Sequence, residues 1–249
     1  GEGIANQIGK QDVQDRCRQC HMKRWRNQHF HRDRFLFQQD GLLHDHPFQY
    51  WQNQGCSRGL RGNFLAGKRQ KRLDMGEAAV LPALRALGVN RLDRIVISHG
   101  DNDHAGGLAA LQRAWPTAPL YGPPAWRDAQ AETCLAGQAW QWDGVRFRFL
   151  HPPPLFPYLR NDSSCVLRIE AGGSVALLPG DIGRHVESRL VREQAPSLRA
   201  DLLLAPHHGS DSSSSGDFVA AVQPRWVVYA TGANNRFRLP RASVVRRYR

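Results

Sequence analysis

The sequence predicts a layered α/β fold. Short apolar runs of strand length alternate with helix-length segments, both hairpin and crossover spacings occur, and several strands run into loops rich in His and Asp. The first helix is expected over Ala78 to Leu87, carrying Val80, Leu81, Leu84 and Leu87 and ending at Gly88, with Pro82 tolerable only near its first turn. Arg94-Ile95-Val96-Ile97 reads as a short buried strand entering a loop. Leu108 to Trp115 reads as a helix and Pro119 to Tyr121 as a strand. Val145 to Leu150 alternates as a strand should. Cys165 to Ile169 and Val175 to Leu178 form two strands joined by a hairpin at Gly172-Gly173. A helix is expected over Arg184 to Val191. Leu202 to Leu204 and Trp226 to Tyr229 read as buried strands.

Hydrophobic residues make up 41% and charged residues 22% of the 249, enough apolar material for a packed core and too much for wholesale disorder. No run approaches the roughly 18 to 20 apolar residues of a membrane-spanning helix, and no basic start followed by an apolar run marks a signal peptide. The chain as given is expected to be soluble. The formal charge of +12 suits a polyanion, but 14 of the 34 basic and only 6 of the 22 acidic residues precede Asp74. The basic excess therefore belongs mainly to the head. Five cysteines at irregular spacing describe no disulfide framework.

Residues 1–73 form an atypical head rich in Gln, His and Arg, in which neither helical nor strand periodicity persists. Every lysine lies in it, none after Lys71. The expectation is a poorly folded or out-of-frame segment, separate from a domain over 74–249; resequencing the gene tests it. Cys17-Arg18-Gln19-Cys20-His21 fits a haem-attachment pattern, and with His29 and His31 a zinc site is conceivable. The plainer reading is coincidence in a Cys- and His-rich stretch.

The chemistry concentrates after the strand at Ile95, in Ser98-His99-Gly100-Asp101-Asn102-Asp103-His104-Ala105-Gly106-Gly107. His99, Asp101, Asp103 and His104 put four metal-competent side chains within six residues, with nitrogen and oxygen donors suited to divalent zinc, manganese or iron. A solvated acidic loop capping a helix explains one Asp, not two His and two Asp in this register. Asp181 follows a strand in Pro179-Gly180-Asp181, where by itself it is an ordinary turn residue. Ala205-Pro206-His207-His208-Gly209-Ser210 follows another. All three segments are strands ending in ligand-bearing loops.

These strings, His99-x-Asp101-x-Asp103-His104-x-Gly106-Gly107, then Gly180-Asp181, then His207-His208-Gly209-Ser210, resemble the metallo-β-lactamase superfamily, and within it the C-terminal domain of ComEC-type DNA internalisation proteins of natural competence. Asp101 stands where the superfamily usually has a second His. Asp74-x-Gly76-Glu77, Asn161-Asp162-Ser163-Ser164-Cys165, the run Ser212 to Ser215 and Asn235-Arg236-Phe237 also match. The resemblance covers roughly Asp74 to Arg249. It implies a metallo-β-lactamase αββα sandwich. Its metal ligands for one or two zinc or manganese ions are His99, Asp101, Asp103, His104, Asp181 and one of His207 or His208, with His207 taken as the ligand. Asp103 is the catalytic residue, and His208, Ser210 and the serine run contact substrate phosphate.

The implied activity is a metal-dependent nuclease on single-stranded DNA, with no small-molecule cofactor. Family members are inner-membrane proteins with this domain on the periplasmic side, and their channel portion is not recognisable here. The family's opening strands and its closing His-Pro are also unrecognisable, Leu239-Pro240 standing in the latter place. A sandwich incomplete at both ends is therefore expected. The alternatives are a truncated inactive remnant and a non-catalytic DNA-binding module.

Overall fold

The computed structural model describes residues 35–37 and 74–249, except 127, 129, 233 and 234. The Cys17–His21 motif, His29, His31 and nearly all of the head lie outside the described residues. Within it, the backbone of β1, Phe35–Phe37, pairs in parallel with β2, Arg94–Val96.

A π-helical turn, Gly76–Val80, runs straight into α1, Leu81–Ala86. The wide turn accommodates Pro82, whose ring in a continuous α-helix would meet the carbonyl four residues back. After β2 come α2, Asn102–Ala105, α3, Leu108–Ala114, and the parallel strands β3, Leu120–Gly122, and β4, Glu132–Thr133. Strands β1 to β4 make one all-parallel sheet in sequence order.

The second sheet begins with two hairpins. β5, Ala139–Trp142, turns into β6, Val145–His151, through Asp143-Gly144. β7, Val166–Ala171, turns into β8, Ser174–Leu178, through Gly172-Gly173. All four turn residues have positive φ, 44° and 79° then 55° and 81°. That is the backbone of a two-residue turn matched to strand twist. The Asp143-Gly144 turn, not among the hairpins expected from sequence, carries as strong a signal as Gly172-Gly173. Helix α4, Arg184–Leu198, crosses over to β9, Leu202–Leu204, and α5, Gly216–Val222, to β10, Trp226–Val228. Both crossovers give parallel pairs, and the sheet order is β10-β9-β8-β7-β6-β5. Helix α4 runs past Val191, breaking at Gln194 just before Pro196. The chain ends in α6, Ala242–Arg247.

Strand alternation sorts the core into layers. Ile95 and Ile97 face Leu84 and Leu111 of the first helices, while Val96 faces the second sheet. Likewise Val166 packs with Val186, Leu190 and Phe218 of α4 and α5, while Leu167 joins Phe147 and Phe149 between the sheets. The result is helix, sheet, sheet, helix. The Cys134–Cys165 disulfide lies in the inter-sheet layer, Cα atoms 6.0 Å apart. Among the described residues no helix is long and apolar enough to cross a membrane.

Candidate metal centre

Three strand ends build the site. β2 delivers Ser98 and His99, β8 delivers Asp181, and β9 delivers His207 and His208. Backbone bonds tie them together: Cys165 N–H donates to the Ser98 carbonyl at 2.9 Å, and His207 N–H to the Gly180 carbonyl at 3.1 Å. Gly180, at φ 62°, sits so close to Ser164 that an added Cβ would lie 2.7 Å from that residue's own Cβ. His207 and His208 both adopt left-handed φ, 49° and 55°. Non-glycine residues there carry roughly 1–3 kcal/mol of strain each and persist where the surroundings over-determine them, often at functional sites. Here the two consecutive left-handed residues carry His208 into the cluster and leave the His207 ring at its edge.

The centre of the cluster is His104, fully buried. Its Nδ1 lies 3.0 Å from Ser98 Oγ. Its Nε2 lies 3.1 Å from His208 Nε2 and 3.2 Å from Asp181 Oδ1. His208 Nε2 is in turn 3.5 Å from Asp181 Oδ2 and 3.7 Å from Asp103 Oδ2, while its Nδ1 faces the Ala230 carbonyl at 2.9 Å. Ligand atoms around one tetrahedral ion with bonds of about 2.1 Å lie roughly 3.4 Å apart, so this spacing fits a divalent cation. The buried Nε2 of His99 has no hydrogen-bond partner among the described residues. A lone pair left so in the interior also fits a metal site.

Charge supports the same reading. Burial pushes the Asp181 carboxyl upward, but hydrogen bonds from His104 and His208 outweigh it and hold the group far below the usual carboxylate range. The His208 hydrogen bond likewise lowers Asp103 against the effect of burial. Both are ionised at neutral pH. Burial, and then the neighbouring His104, lower His99 to about 4, leaving a neutral imidazole able to give its lone pair to a metal.

His207 and Asp101 lie outside this close cluster. His207, named as a ligand by sequence, is 3.7 Å from Asp181 Oδ2; its Nδ1 meets Ser212 Oγ at 2.9 Å and its Nε2 meets Asn161 at 3.4 Å. The geometry places His208, which sequence had assigned to substrate, inside the cluster beside His104. Asp101 caps α2 with its carbonyl and turns its carboxylate to Arg160, 3.1 Å away. Ser210 sits at the rim, its Oγ 3.1 Å from that of Ser212. Of the serine run, Ser213 and Ser214 are buried, so they brace the loop and do not face a substrate. The Ser214 and Ser215 N–H groups donate to the buried Glu187 carboxylate at 2.5 and 2.8 Å. Sequence reasoning gave no role to Ser98, Arg160 or Glu187; Arg160 meets Asp101 across 59 residues and Glu187 meets Ser214 across 27, pairings that leave no local pattern, whereas Ser98 stands six residues from His104 within the motif itself.

A second buried imidazole adds a pH dependence. His151 donates through Nε2 to the Asp162 carbonyl at 2.7 Å and accepts at Nδ1 from Arg189 at 2.5 Å. Burial lowers it to about 4, the bond to Asp162 opposing and the Arg189 charge assisting. An unfolded chain protonates both His99 and His151 below about 6.5, whereas the folded chain resists until about 4. Their contribution is complete above pH 6.5 and is lost as pH falls toward 4, at about 1.4 kcal/mol per pH unit for each. His151→Gln is expected to halve that combined slope, read from urea unfolding of metal-free protein at pH 7, 6 and 5.

The sequence profile described as the Metallo-beta-lactamase superfamily matches residues 65–232. Competence protein ComA of Neisseria gonorrhoeae is 41% identical over 174 residues, 70% of this chain and 25% of that protein. Recombination protein 2 of Haemophilus influenzae is 32% identical over 70% of this chain and 22% of its own length. ComE operon protein 3 of Bacillus subtilis is 29% identical over 72% and 25%. The chain thus spans about a quarter of the length of these relatives. Three strand ends converging on buried His and Asp, in a helix-sheet-sheet-helix sandwich matched over most of its length, make this chain a member of the metallo-β-lactamase superfamily.

Proposed function

We propose that the chain is a metal-dependent phosphodiesterase acting on single-stranded DNA, the nuclease domain of a DNA-uptake protein. The observation carrying this reading is the convergence of Asp103, His104, Asp181 and His208. These four would hold a divalent cation, zinc or manganese, with His208 a ligand and His207 beside it. So held, the cation supplies Lewis acidity toward a phosphoryl oxygen and a nucleophile from water at neutral pH.

The chain's own groups do the rest. The Asp103 side chain is about half exposed, 52%, so its carboxylate faces the cluster and solvent together and can orient an attacking water. His207, Ser210 and Ser212 line the rim with donors suited to a phosphate oxygen. The similarity to a protein named for competence and to one named for recombination supports DNA as the substrate. The Cys134–Cys165 disulfide supports an oxidising compartment, as expected of a domain on the outer side of the inner membrane.

The purified chain loaded with manganese is expected to degrade single-stranded DNA, and Asp103→Ala to lower the rate by at least 100-fold, on the order expected for loss of a general base. Cleavage that survives the substitution refutes the assignment. Binding without cleavage, insensitive to chelator and steeply weakened by salt, would favour a DNA-binding module instead.

A further inference from the structure

From Asp74 onward the chain has 20 basic and 16 acidic residues, and they are unevenly placed. The last fifteen residues, 235–249, hold six arginines and no Asp or Glu. Residues 74–234 carry 14 arginines against all 16 acids, a net charge of −2. The positive charge of the domain is thus gathered at the end of the chain. Arg247 is used inside the fold, its Nη1 donating to the Ser213 and Ser214 carbonyls at 3.2 and 3.1 Å. Among the described residues no acidic side chain pairs with Arg236, Arg238 or Arg241, and all three are exposed.

This segment is fastened to the loop that carries His208. Arg241 N–H donates to the carbonyl of Gly209, the next residue after His208, at 2.9 Å. Gly209, at φ 82°, is approached so closely that an added Cβ would lie 2.7 Å from Pro240 Cβ. His208 Nδ1 itself meets the Ala230 carbonyl at 2.9 Å, so residues 230 and 241 both rest on that loop. Between them Asn235 fixes a turn. Its Oδ1 accepts from Leu239 N–H at 3.0 Å, its Nδ2 donates to the Leu239 carbonyl at 2.7 Å, and its carbonyl accepts from Arg238 N–H at 3.0 Å. Arg236, Phe237 and Arg238 stand at the tip. The Arg236 guanidinium lies 4.6 Å from the Phe237 ring centroid, and the ring is still 56% exposed.

We propose that the turn 235–241 is a landing surface for a single strand of DNA beside the metal centre, Phe237 stacking on a base and Arg236, Arg238 and Arg241 meeting phosphates. The choice of DNA as the polyanion rests on the phosphodiesterase reading above. Proteins that hold single strands without reading sequence combine a basic track with an aromatic face on which bases stack. Bases already paired and stacked in a duplex leave no free face for the ring. Chain geometry keeps the contact near the site: four residues span at most about 14 Å, so Phe237 lies within that reach of Arg241, whose backbone touches the His208 loop. A lipid surface also attracts arginines, but holding a segment in it takes a broad buried apolar face. Phe237 is the only large apolar side chain exposed within 235–249.

The test needs no turnover. The full chain, in chelator, is titrated into a labelled oligo-dT of about 12 nucleotides, within the range of known single-strand site sizes, and binding is followed by fluorescence anisotropy. Phe237→Ala is expected to weaken binding about tenfold, the loss of one stacked base, and Phe237→Trp to restore it. The double variant Arg236→Gln, Arg238→Gln is expected to lower the slope of log affinity against log salt by about 1.4, at roughly 0.7 for each phosphate contact removed from a single strand. Tm should stay the same in every variant, since exposed side chains carry little stability. Equal affinity in wild type and Phe237→Ala, or an unchanged salt slope in the double variant, overturns the proposal. Loss of binding to vesicles of phosphatidylserine and phosphatidylcholine in these variants, with oligonucleotide affinity intact, also overturns it and assigns the turn to a membrane surface. A chain that binds oligo-dT through Phe237 but cleaves no DNA with manganese refutes the function proposed above and leaves this inference standing.

Discussion

Replacing His104 with alanine is expected to abolish metal retention and to destabilise the metal-free fold by about 1.5–3 kcal/mol, the usual worth of a hydrogen bond to a charged group. The side chain is fully buried, and its Nε2 is 3.2 Å from the Asp181 carboxylate, itself 3% exposed. Burial alone would raise the Asp181 carboxyl; hydrogen bonds from His104 and His208 are what keep it ionised. With His104 gone, Asp181 either stays charged with one fewer partner or takes up a proton, and either outcome costs stability. Metal affinity should fall by more than the roughly 10–100-fold typical of losing an outer-shell partner. Urea unfolding in chelator measures the first effect and elemental analysis the second. Unchanged metal content would remove His104 from the centre of the site.

Breaking the Cys134–Cys165 disulfide is expected to cost about 2–4 kcal/mol, seen as a fall in Tm on the order of 10 °C. The bond closes a loop with a sequence separation of 31 and joins the inter-sheet layer. Its effect should reach the metal centre, because Cys165 N–H donates to the Ser98 carbonyl and Ser164 Oγ accepts from Asp181 N–H. Cys165→Ser, or wild type under reductant, should therefore lose zinc affinity together with thermal stability. Thermal unfolding with and without reductant, followed by a zinc titration, gives both numbers. An unchanged melting temperature would show that packing of Phe147, Phe149 and Leu167 holds the sheets together without the bond.

The disulfide also illustrates what sequence could not supply. Five cysteines at irregular spacing carry no pairing information; Cys134 and Cys165 meet because β4 and β7 belong to facing sheets. The serine run is a similar case. Its hydroxyls looked available for substrate, yet Ser213 and Ser214 are buried because Glu187, on a helix 27 residues earlier, draws in the backbone behind them. The Asp143-Gly144 turn was legible and missed: Asp-Gly between Trp142 and Val145 is as strong a hairpin signal as the Gly-Gly that was found.

By itself the sequence showed strands β2, β3 and β6 to β10, though not β1, β4 or β5, and it showed which loops carry His and Asp and which family the chain resembles, since each of these is written in residues a few positions apart. Tertiary structure alone decided that His208 stands inside the cluster, against His104, with His207 at its edge. Adjacent residues look interchangeable in a string, but two successive left-handed φ angles point their rings in different directions. It also decided the place of Asp101, next to three ligand candidates in sequence and paired in space with an arginine 59 positions away. Donor type is a local property of a sequence; donor direction is set by the packing of strands that come together only when the chain folds.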